Sequence, residues 1–165
     1  MDMVKYKDTM VVFEEIPDRV SLAINITNCQ NRCIGCHSPW LREDIGDELN
    51  EESMERLMND NDGVNCVIFM GEGNDLDTLL SMAEHTREKY GVEVGIYSGR
   101  DDVGLELFDV FDYVKVGSYQ EDKGPLNNPE TNQRLFKCHK ENGRTVKVEN
   151  ITHRMWRKKT STTND

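Results

Sequence analysis

Three of the five cysteines in this 165-residue chain, Cys29, Cys33 and Cys36, fall within one short segment. Three thiolates at this spacing can hold a metal, but they do not complete the four-ligand shell of a typical zinc or iron–sulfur site. An iron–sulfur cluster held by three cysteines therefore keeps one iron that can bind a substrate or cofactor directly. The segment predicts a metal centre that does chemistry.

A zinc site and a set of unligated thiols are the alternatives. His37 directly follows Cys36, which makes it difficult for both to close one tetrahedron, and His139 and His153 are remote candidates for a fourth ligand. Zinc motifs more often consist of two paired ligand couples. Unligated buried cysteines seldom cluster in a loop with Asn, Gln and Arg between them, so this third interpretation is the least favoured.

A second candidate segment, Gly71-Glu72-Gly73, follows the apolar run at 66–70. Glycine lets the backbone approach a ligand or adopt a positive φ, and a carboxylate accepts hydrogen bonds from a positively charged amino group. Ser98 follows a later apolar run in the same way. Without the cysteines, a turn with a solvated acid would be the simpler interpretation of the glycine segment.

Apolar runs alternate with helical periodicity along the chain. Strands are predicted at about 20–26, 66–70, 92–97, 113–116 and 145–148, and helices at about 51–58, 75–90, 103–108 and 129–139. Asn50 is the expected N-cap of the first helix, and Gly91 the left-handed residue after the second. The alternation predicts an α/β fold with a mostly parallel sheet.

The fold class places both candidate segments on one edge of the sheet. Parallel sheets bind ligands at the carboxyl ends of their strands, and both segments follow a predicted strand. We expect residues 1–150 to form a single domain. Residues 151–165 are polar and are expected to form a mobile tail.

Charge and hydropathy exclude several classes of function. The chain has 31 acidic and 20 basic residues, a net charge of −11, which is the wrong sign for binding a phosphate backbone. No apolar run approaches the roughly 20 residues that span a bilayer. The first residues lack the apolar block of a signal peptide. We therefore expect a cytoplasmic protein with neither nucleic acid nor membrane as a partner.

The spacing C-x3-C-x2-C after a strand resembles the signature of radical S-adenosylmethionine enzymes. The run Cys36-His37-Ser38-Pro39 is similar to the Cys-His-Asn-Pro run of the anaerobic ribonucleoside-triphosphate reductase activating proteins. Asn132-Gln133-Arg134 resembles that family's C-terminal Asn-Gln-Arg element, and residues 114–119 resemble the strand and turn before it. The resemblance covers about residues 21–135.

This resemblance implies an abbreviated partial (βα) barrel with helices on one side of the sheet. Cys29, Cys33 and Cys36 would ligate a [4Fe–4S] cluster whose open iron binds S-adenosylmethionine. One electron from a donor protein would cleave the cofactor to a 5′-deoxyadenosyl radical. That radical would take a hydrogen atom from a glycine of the partner, the anaerobic ribonucleoside-triphosphate reductase.

The resemblance also assigns cofactor contacts. Gly71, Glu72 and Gly73 would lie near the cofactor's amino group, and Ser98 would be a polar contact. The family usually carries Gly-Gly-Glu or Gly-Gly-Asp at this place, whereas this chain has Met70-Gly71-Glu72-Gly73. Asn132-Gln133-Arg134 would lie in the site or at its rim. A radical enzyme with a small-molecule substrate and a non-catalytic zinc-binding interaction module are the alternative functions.

Overall fold

The computed structural model describes residues 4–13, 15–27, 46–73, 75–100, 103–118, 120, 122–124 and 126–156. Cys29, Cys33 and Cys36 lie outside these ranges, as do residues 157–165 of the expected tail. The positions assigned to cluster ligation therefore stay a prediction. The glycine segment and the Asn-Gln-Arg segment are described in full.

The described chain is a mixed α/β domain with one eight-stranded sheet. Its strands are β1 (Lys5–Val12), β2 (Ser21–Ile26), β3 (Asp47–Glu48), β4 (Cys66–Met70), β5 (Glu93–Tyr97), β6 (Tyr113–Val116), β7 (Arg134–Glu141) and β8 (Arg144–Asn150). Its helices are α1 (Glu51–Asp60), α2 (Leu76–Tyr90) and α3 (Leu105–Val110), followed by a 3₁₀ helix at Thr152–Met155. The sheet order is β3-β1-β2-β4-β5-β6-β7-β8.

The sheet is mixed, so the expectation of a mostly parallel sheet is wrong outside its centre. Strands β2, β4, β5 and β6 are parallel neighbours, whereas β1, β3, β7 and β8 pair antiparallel. The difference arises from the connections. Asn142 and Gly143 both have positive φ, at 55° and 79°, which is the geometry of a tight hairpin turn and forces β8 to run back along β7.

All three helices pack on one face of the sheet. Each lies in one of the connections between the parallel strands, and such crossovers have a fixed hand, so successive helices cover the same side. Met54, Leu79 and Leu107 from the helices share one buried cluster with the sheet residues Phe69 and Ile96. This packing confirms a mixed α/β architecture and leaves the opposite face to other segments.

The opposite face is covered by connecting segments. Ile16, Leu126 and Ile151 pack there against Ile68 of β4 and Leu135 of β7. Because both faces of β4 are buried, its sequence is a continuous apolar run without alternation. Ile151 thus belongs to the core, although the sequence assigns it to the polar tail.

Thr152 is also buried, and its hydroxyl accepts a hydrogen bond from the Leu135 backbone N–H at 2.9 Å. The packed structure therefore continues past the predicted boundary at residue 150. The next residues close a 3₁₀ turn that ends at Met155. None of the helices in the described ranges is long and apolar enough to cross a membrane.

The helix ends confirm the predicted caps. The side chain of Asn50 accepts from the Ser53 N–H at 2.9 Å, while the Ser53 hydroxyl accepts from the Asn50 N–H at 2.8 Å. Asp75 caps α2 by accepting from Thr78 N–H. Gly91 ends α2 with φ of 64°. Asp75 thus starts α2 directly after the glycine segment, and Gly91 ends it one helix length away.

The helix predicted at 129–139 is wrong, because residues 134–141 form β7. Leu135 and Cys138 are both buried three residues apart, which imitates helical spacing. In the structure they lie on opposite faces of the strand, Leu135 among the connecting segments and Cys138 on the helix side. Strands β1 and β3 are not among the predicted strands.

Candidate functional site

The loops that follow β4, β5 and β6 are joined to one another at the carboxyl edge of the parallel strands. The Gly71 N–H donates to the Tyr97 carbonyl at 3.0 Å, and the Ser98 N–H to the Lys115 carbonyl at 2.8 Å. The Gly117 N–H donates to the Arg100 carbonyl at 2.7 Å. These bonds extend the sheet past its strands and hold the glycine segment and Ser98 at one edge, as the sequence predicts.

Glu72 is the buried acid of this edge, with only 7% of its surface exposed. Its Oε2 accepts from the Ser98 hydroxyl and from Arg100 Nε, the latter at 3.0 Å. Its Oε1 lies 2.8 Å from Arg100 Nη2, which makes the guanidinium–carboxylate pair bidentate. The structure therefore brings two predicted site residues, Glu72 and Ser98, into direct contact.

Arg100 is the site residue that sequence reasoning missed. The sequence carries only a weak signal, since Arg100 follows Ser98 by two residues and has the opposite charge to Glu72. The pairing itself depends on β4 and β5 being neighbours in the sheet. The Glu72 carboxylate has roughly four lone-pair directions, and its three hydrogen bonds to Ser98 and Arg100 occupy most of them. A ligand's amino group can reach this carboxylate by the remaining direction or by replacing one of these donors.

The glycine segment lies directly against the end of β2. Gly73 has φ of 69°, and a Cβ built on it would be 3.0 Å from Ile26 Cγ2. Gly71 has φ of 115°, and its Cβ would be 3.5 Å from the Ile26 carbonyl oxygen. The conformation requires glycine at both places. Thr27, which follows β2, is the last described residue before the cysteine segment in the sequence. The glycine segment therefore lies next to the end of β2 from which the chain continues to the cysteines.

Lys115 brings a buried ammonium group to the same edge. Its Nζ donates to the Ser98 carbonyl at 3.0 Å and to the Gly117 carbonyl at 3.1 Å. The ammonium group also lies 5.5 Å from the centre of the Tyr97 ring, within the range of a cation–π contact. Lys115 thus fixes the backbone on both sides of Ser98, a role that no sequence motif indicated.

The Asn-Gln-Arg segment braces the loop after β6. The side-chain amide of Asn132 donates to the Ser118 carbonyl at 3.0 Å, and that of Gln133 donates to the Gly117 carbonyl at 3.3 Å. Arg134 instead donates to the carbonyls of its own loop, at Thr131 and Gln133. Asn132 and Gln133 therefore lie at the rim of the edge, whereas Arg134 shapes the loop that carries them.

The side-chain oxygen of Asn132 is an unsatisfied hydrogen-bond acceptor at this rim. Its Oδ1 is buried without a hydrogen-bond partner among the described residues. The cost of burying an unsatisfied acceptor is of the order of 1–3 kcal/mol. A polar group that donates to Oδ1 when the site is filled would remove this cost.

Cysteines and histidines in the described ranges do not extend the predicted metal set. Burial raises the pKa of the Cys66 thiol to about 12 and that of Cys138 to about 11, so both stay protonated and are poor ligands. His139 Nε2 lies 2.9 Å from Glu149 Oε1 on β8. Within the described ranges, no group of three or more Cys, His, Asp or Glu side chains could hold a metal ion.

The carboxyl edge combines a carboxylate, a guanidinium, a hydroxyl and an ammonium group within one hydrogen-bonded network. Such a set can recognise a molecule that carries both an amino and a carboxyl group, because Glu72 and Arg100 offer the complementary charges. A scan against protein-family models, a search of curated proteins and a search of solved structures each found no match for this chain.

Proposed function

We propose that this protein is a radical S-adenosylmethionine activase that installs a glycyl radical on an anaerobic ribonucleoside-triphosphate reductase. One observation carries the proposal: the glycine segment is packed against Ile26, immediately before the cysteine segment, and Glu72 of that segment is joined to Ser98 and Arg100. A three-cysteine metal centre and an amino-acid binding set would then share one edge of the sheet.

The residues of this edge fit the methionine end of S-adenosylmethionine. That end carries an amino group and a carboxylate, and Glu72 and Arg100 match these charges. Cys29, Cys33 and Cys36 are the residues that would hold the [4Fe–4S] cluster. When bound, the cluster and the cofactor supply a 5′-deoxyadenosyl radical, and the protein binds, orients and excludes water.

The architecture supports the finer fold assignment within this proposal. Strands β2, β4, β5 and β6 are parallel, adjacent and in chain order, and their helices lie on one face. We take this arrangement as support for a partial (βα) barrel, with the antiparallel strands at its two ends as additions to it. The partner reductase would supply walls that this short chain lacks.

The test is an anaerobic reconstitution with iron and sulfide, followed by reduction and electron paramagnetic resonance. We expect a reduced-cluster signal that shifts when S-adenosylmethionine is added and that is lost when Cys29, Cys33 and Cys36 are all replaced by Ala. Cys138→Ala is the matched control and should keep the signal, because Cys138 is a buried thiol on β7. One zinc per chain and no cluster signal would instead favour the zinc-binding interaction module.

A second stage separates the two radical functions. The reduced, cofactor-loaded protein is mixed with the reductase and a one-electron donor, and the glycyl radical doublet is sought. Its appearance, and its loss in a reductase whose acceptor glycine is replaced by Ala, would support the activase. A cofactor-dependent cluster signal without any doublet would favour a radical enzyme with a small-molecule substrate.

A further inference from the structure

The protein holds the two members of the Glu72–Arg100 ion pair with different firmness. The Glu72 side chain is only 10% exposed, and its Oε2 also accepts from the Ser98 hydroxyl. The Arg100 side chain is 39% exposed. If the pair separated, Ser98 would still orient the carboxylate, whereas the guanidinium could move outward. Arg100 is therefore the member of the pair that is able to change position.

The backbone of Arg100 is attached on both sides, so a change of position concerns its side chain. The Arg100 N–H donates to the Ser98 hydroxyl oxygen at 3.1 Å, and the Arg100 carbonyl accepts from the Gly117 N–H at 2.7 Å. The side chain of arginine is long and flexible and ends in a planar group that binds carboxylates in a fixed geometry. Arg100 can thus exchange one carboxylate for another nearby without any movement of its loop.

An amino-acid ligand would bring such a second carboxylate to Arg100. Its amino group and its carboxylate are attached to one carbon atom, so the two groups lie about 3 Å apart. If the amino group binds Glu72, the carboxylate arrives beside the guanidinium that binds Glu72 now. Arginine forms the same two parallel hydrogen bonds with a carboxylate whichever molecule supplies it. One internal ion pair would then be replaced by two pairs with the ligand.

This exchange is favourable only for a ligand that carries both groups. An amino group alone would take Glu72 from Arg100 without giving the guanidinium a new anion. A carboxylate alone would take Arg100 and leave Glu72 as a buried anion without a cation. Removing one partner of a buried charge pair is costly, because the remaining charge is uncompensated. The internal pair thus discriminates against ligands that carry one group only.

We propose that Arg100 exchanges Glu72 for the carboxylate of an incoming ligand, so that this ion pair selects molecules with both charged groups of an α-amino acid. The inference rests on the proposed function and makes Arg100 the residue that recognises the methionine carboxylate of S-adenosylmethionine. Glu72 has a cation beside it both before and after the exchange. Arg100 is at once a binding residue and an internal competitor of the ligand's amino group.

The first test compares S-adenosylmethionine with decarboxylated S-adenosylmethionine by anaerobic titration calorimetry of the reconstituted full chain. In Arg100→Met, S-adenosylmethionine should bind about tenfold or more weakly than in wild type, because its carboxylate loses the guanidinium. The decarboxylated analogue should instead bind the variant about threefold or more tightly, because nothing competes with it for Glu72. Damage to the fold cannot produce these opposite changes.

The cluster does not interfere with this comparison. Any contribution of the open iron to binding is the same in wild type and variant, so it cancels when the two ligands are compared in both proteins. Arg154→Met is the matched control and should leave both dissociation constants unchanged, because the Arg154 side chain is also 39% exposed and also pairs with an acid, Asp18. Arg100→Lys keeps the charge without the planar fork, and it should recover part of the lost affinity for S-adenosylmethionine.

Glu72→Gln provides the reciprocal test. The amide oxygen still accepts from the Ser98 hydroxyl, but the negative charge that holds Arg100 is removed. Deaminated S-adenosylmethionine, which carries only the carboxylate, should therefore bind this variant more tightly than wild type. S-adenosylmethionine itself should bind it more weakly, because its amino group loses the anionic acceptor.

Two results would overturn the inference, and they have different meanings. If S-adenosylmethionine binds but the loss of its carboxylate weakens binding by the same factor in wild type and in Arg100→Met, Arg100 does not contact the carboxylate, and the proposed function stands without the exchange. If S-adenosylmethionine binds to none of these proteins, the proposed function fails together with the inference.

Discussion

Arg100 Nη2 lies 2.8 Å from Glu72 Oε1 and Arg100 Nε lies 3.0 Å from Glu72 Oε2, so one bidentate ion pair joins the loops after β4 and β5. Each loop is also attached to its neighbour by a backbone hydrogen bond, from Gly71 to Tyr97 and from Gly117 to Arg100. A carboxylate held in this way keeps one orientation before any ligand arrives, which is the requirement for a preorganised site.

Glu72→Ala should destabilise the fold by about 2 kcal/mol, because it removes the buried carboxylate that accepts from the Ser98 hydroxyl and pairs with Arg100. Urea unfolding measures this loss. Glu52→Ala removes an exposed ion pair with Arg56 on α1 and should cost less than about 0.5 kcal/mol. Equal losses in the two variants would mean that the Glu72 pair contributes no more than a surface pair.

Gly73→Ala should destabilise the protein more than Gly91→Ala, although both glycines have nearly the same φ, 69° and 64°. The left-handed conformation costs each alanine about 1 kcal/mol. At Gly91 a Cβ meets nothing within 4 Å, whereas at Gly73 it would press on Ile26 Cγ2 at 3.0 Å. Thermal unfolding of the two variants should therefore show a lower midpoint for Gly73→Ala.

The functional part of this comparison uses the proposed cofactor. Because only Gly73 packs against the end of β2, at Ile26 and Thr27, only Gly73→Ala should reduce the shift of the reduced-cluster signal on addition of S-adenosylmethionine. If Gly91→Ala reduced that shift as much, the effect would come from lost stability and not from the site.

Cys66 and Cys138 should resist alkylation in the native protein. Burial raises the pKa of Cys66 to about 12 and that of Cys138 to about 11, from an ordinary value of 9.0. At about pH 8 the thiolate fraction therefore falls about a thousandfold for Cys66 and about a hundredfold for Cys138. Iodoacetamide labelling followed by mass spectrometry should find both unmodified until denaturant is added. Rapid labelling of Cys138 alone would show that β7 and β8 separate in the native state.

Asp112 should make stability decline as pH rises above 3.8. Burial raises the pKa of its carboxyl group above that ordinary value, although the Val94 N–H and Arg87 partly oppose the shift. The folded state therefore binds the proton more tightly than the unfolded state, and the resulting stabilisation is complete below pH 3.8 and is lost through the raised pKa.

The comparison that isolates this carboxyl group is wild type against Asp112→Asn, by urea unfolding from about pH 3 to about pH 7. The free energy of unfolding of the wild type, minus that of the variant, should decrease as pH rises. A difference that increased with pH would mean that the pairing with Arg87 outweighs burial and lowers the pKa.

The centre of the fold was predictable because local signals agree there. The periodicity of Leu76, Leu79 and Ala83 and the C-terminal Gly91 both indicate one helix, which the structure confirms as α2. The apolar run of β4 likewise has no competing interpretation. Where pattern, cap and turn residues coincide, the sequence determines the element.

The ends of the sheet were not predictable in the same way. In β7, Leu135 and Cys138 face opposite buried surfaces, and no local pattern reveals that a second surface exists. In β3, two exposed acidic residues pair through their backbone alone, which leaves no mark on the side-chain pattern. The partnership of Arg100 with Glu72 depends on strand order, which becomes visible only when β4 and β5 are adjacent.

The face of the sheet opposite the helices has a consequence for synthesis on the ribosome. Ile68 emerges early and packs against Ile151, which emerges long afterwards. The three strand–helix units close locally. The second face receives Ile16 early, but it is completed only when Leu126 and Ile151 have been made. Part of this apolar surface therefore stays exposed on the nascent chain until Ile151 has been made, and we expect the chain to depend on chaperones during that time.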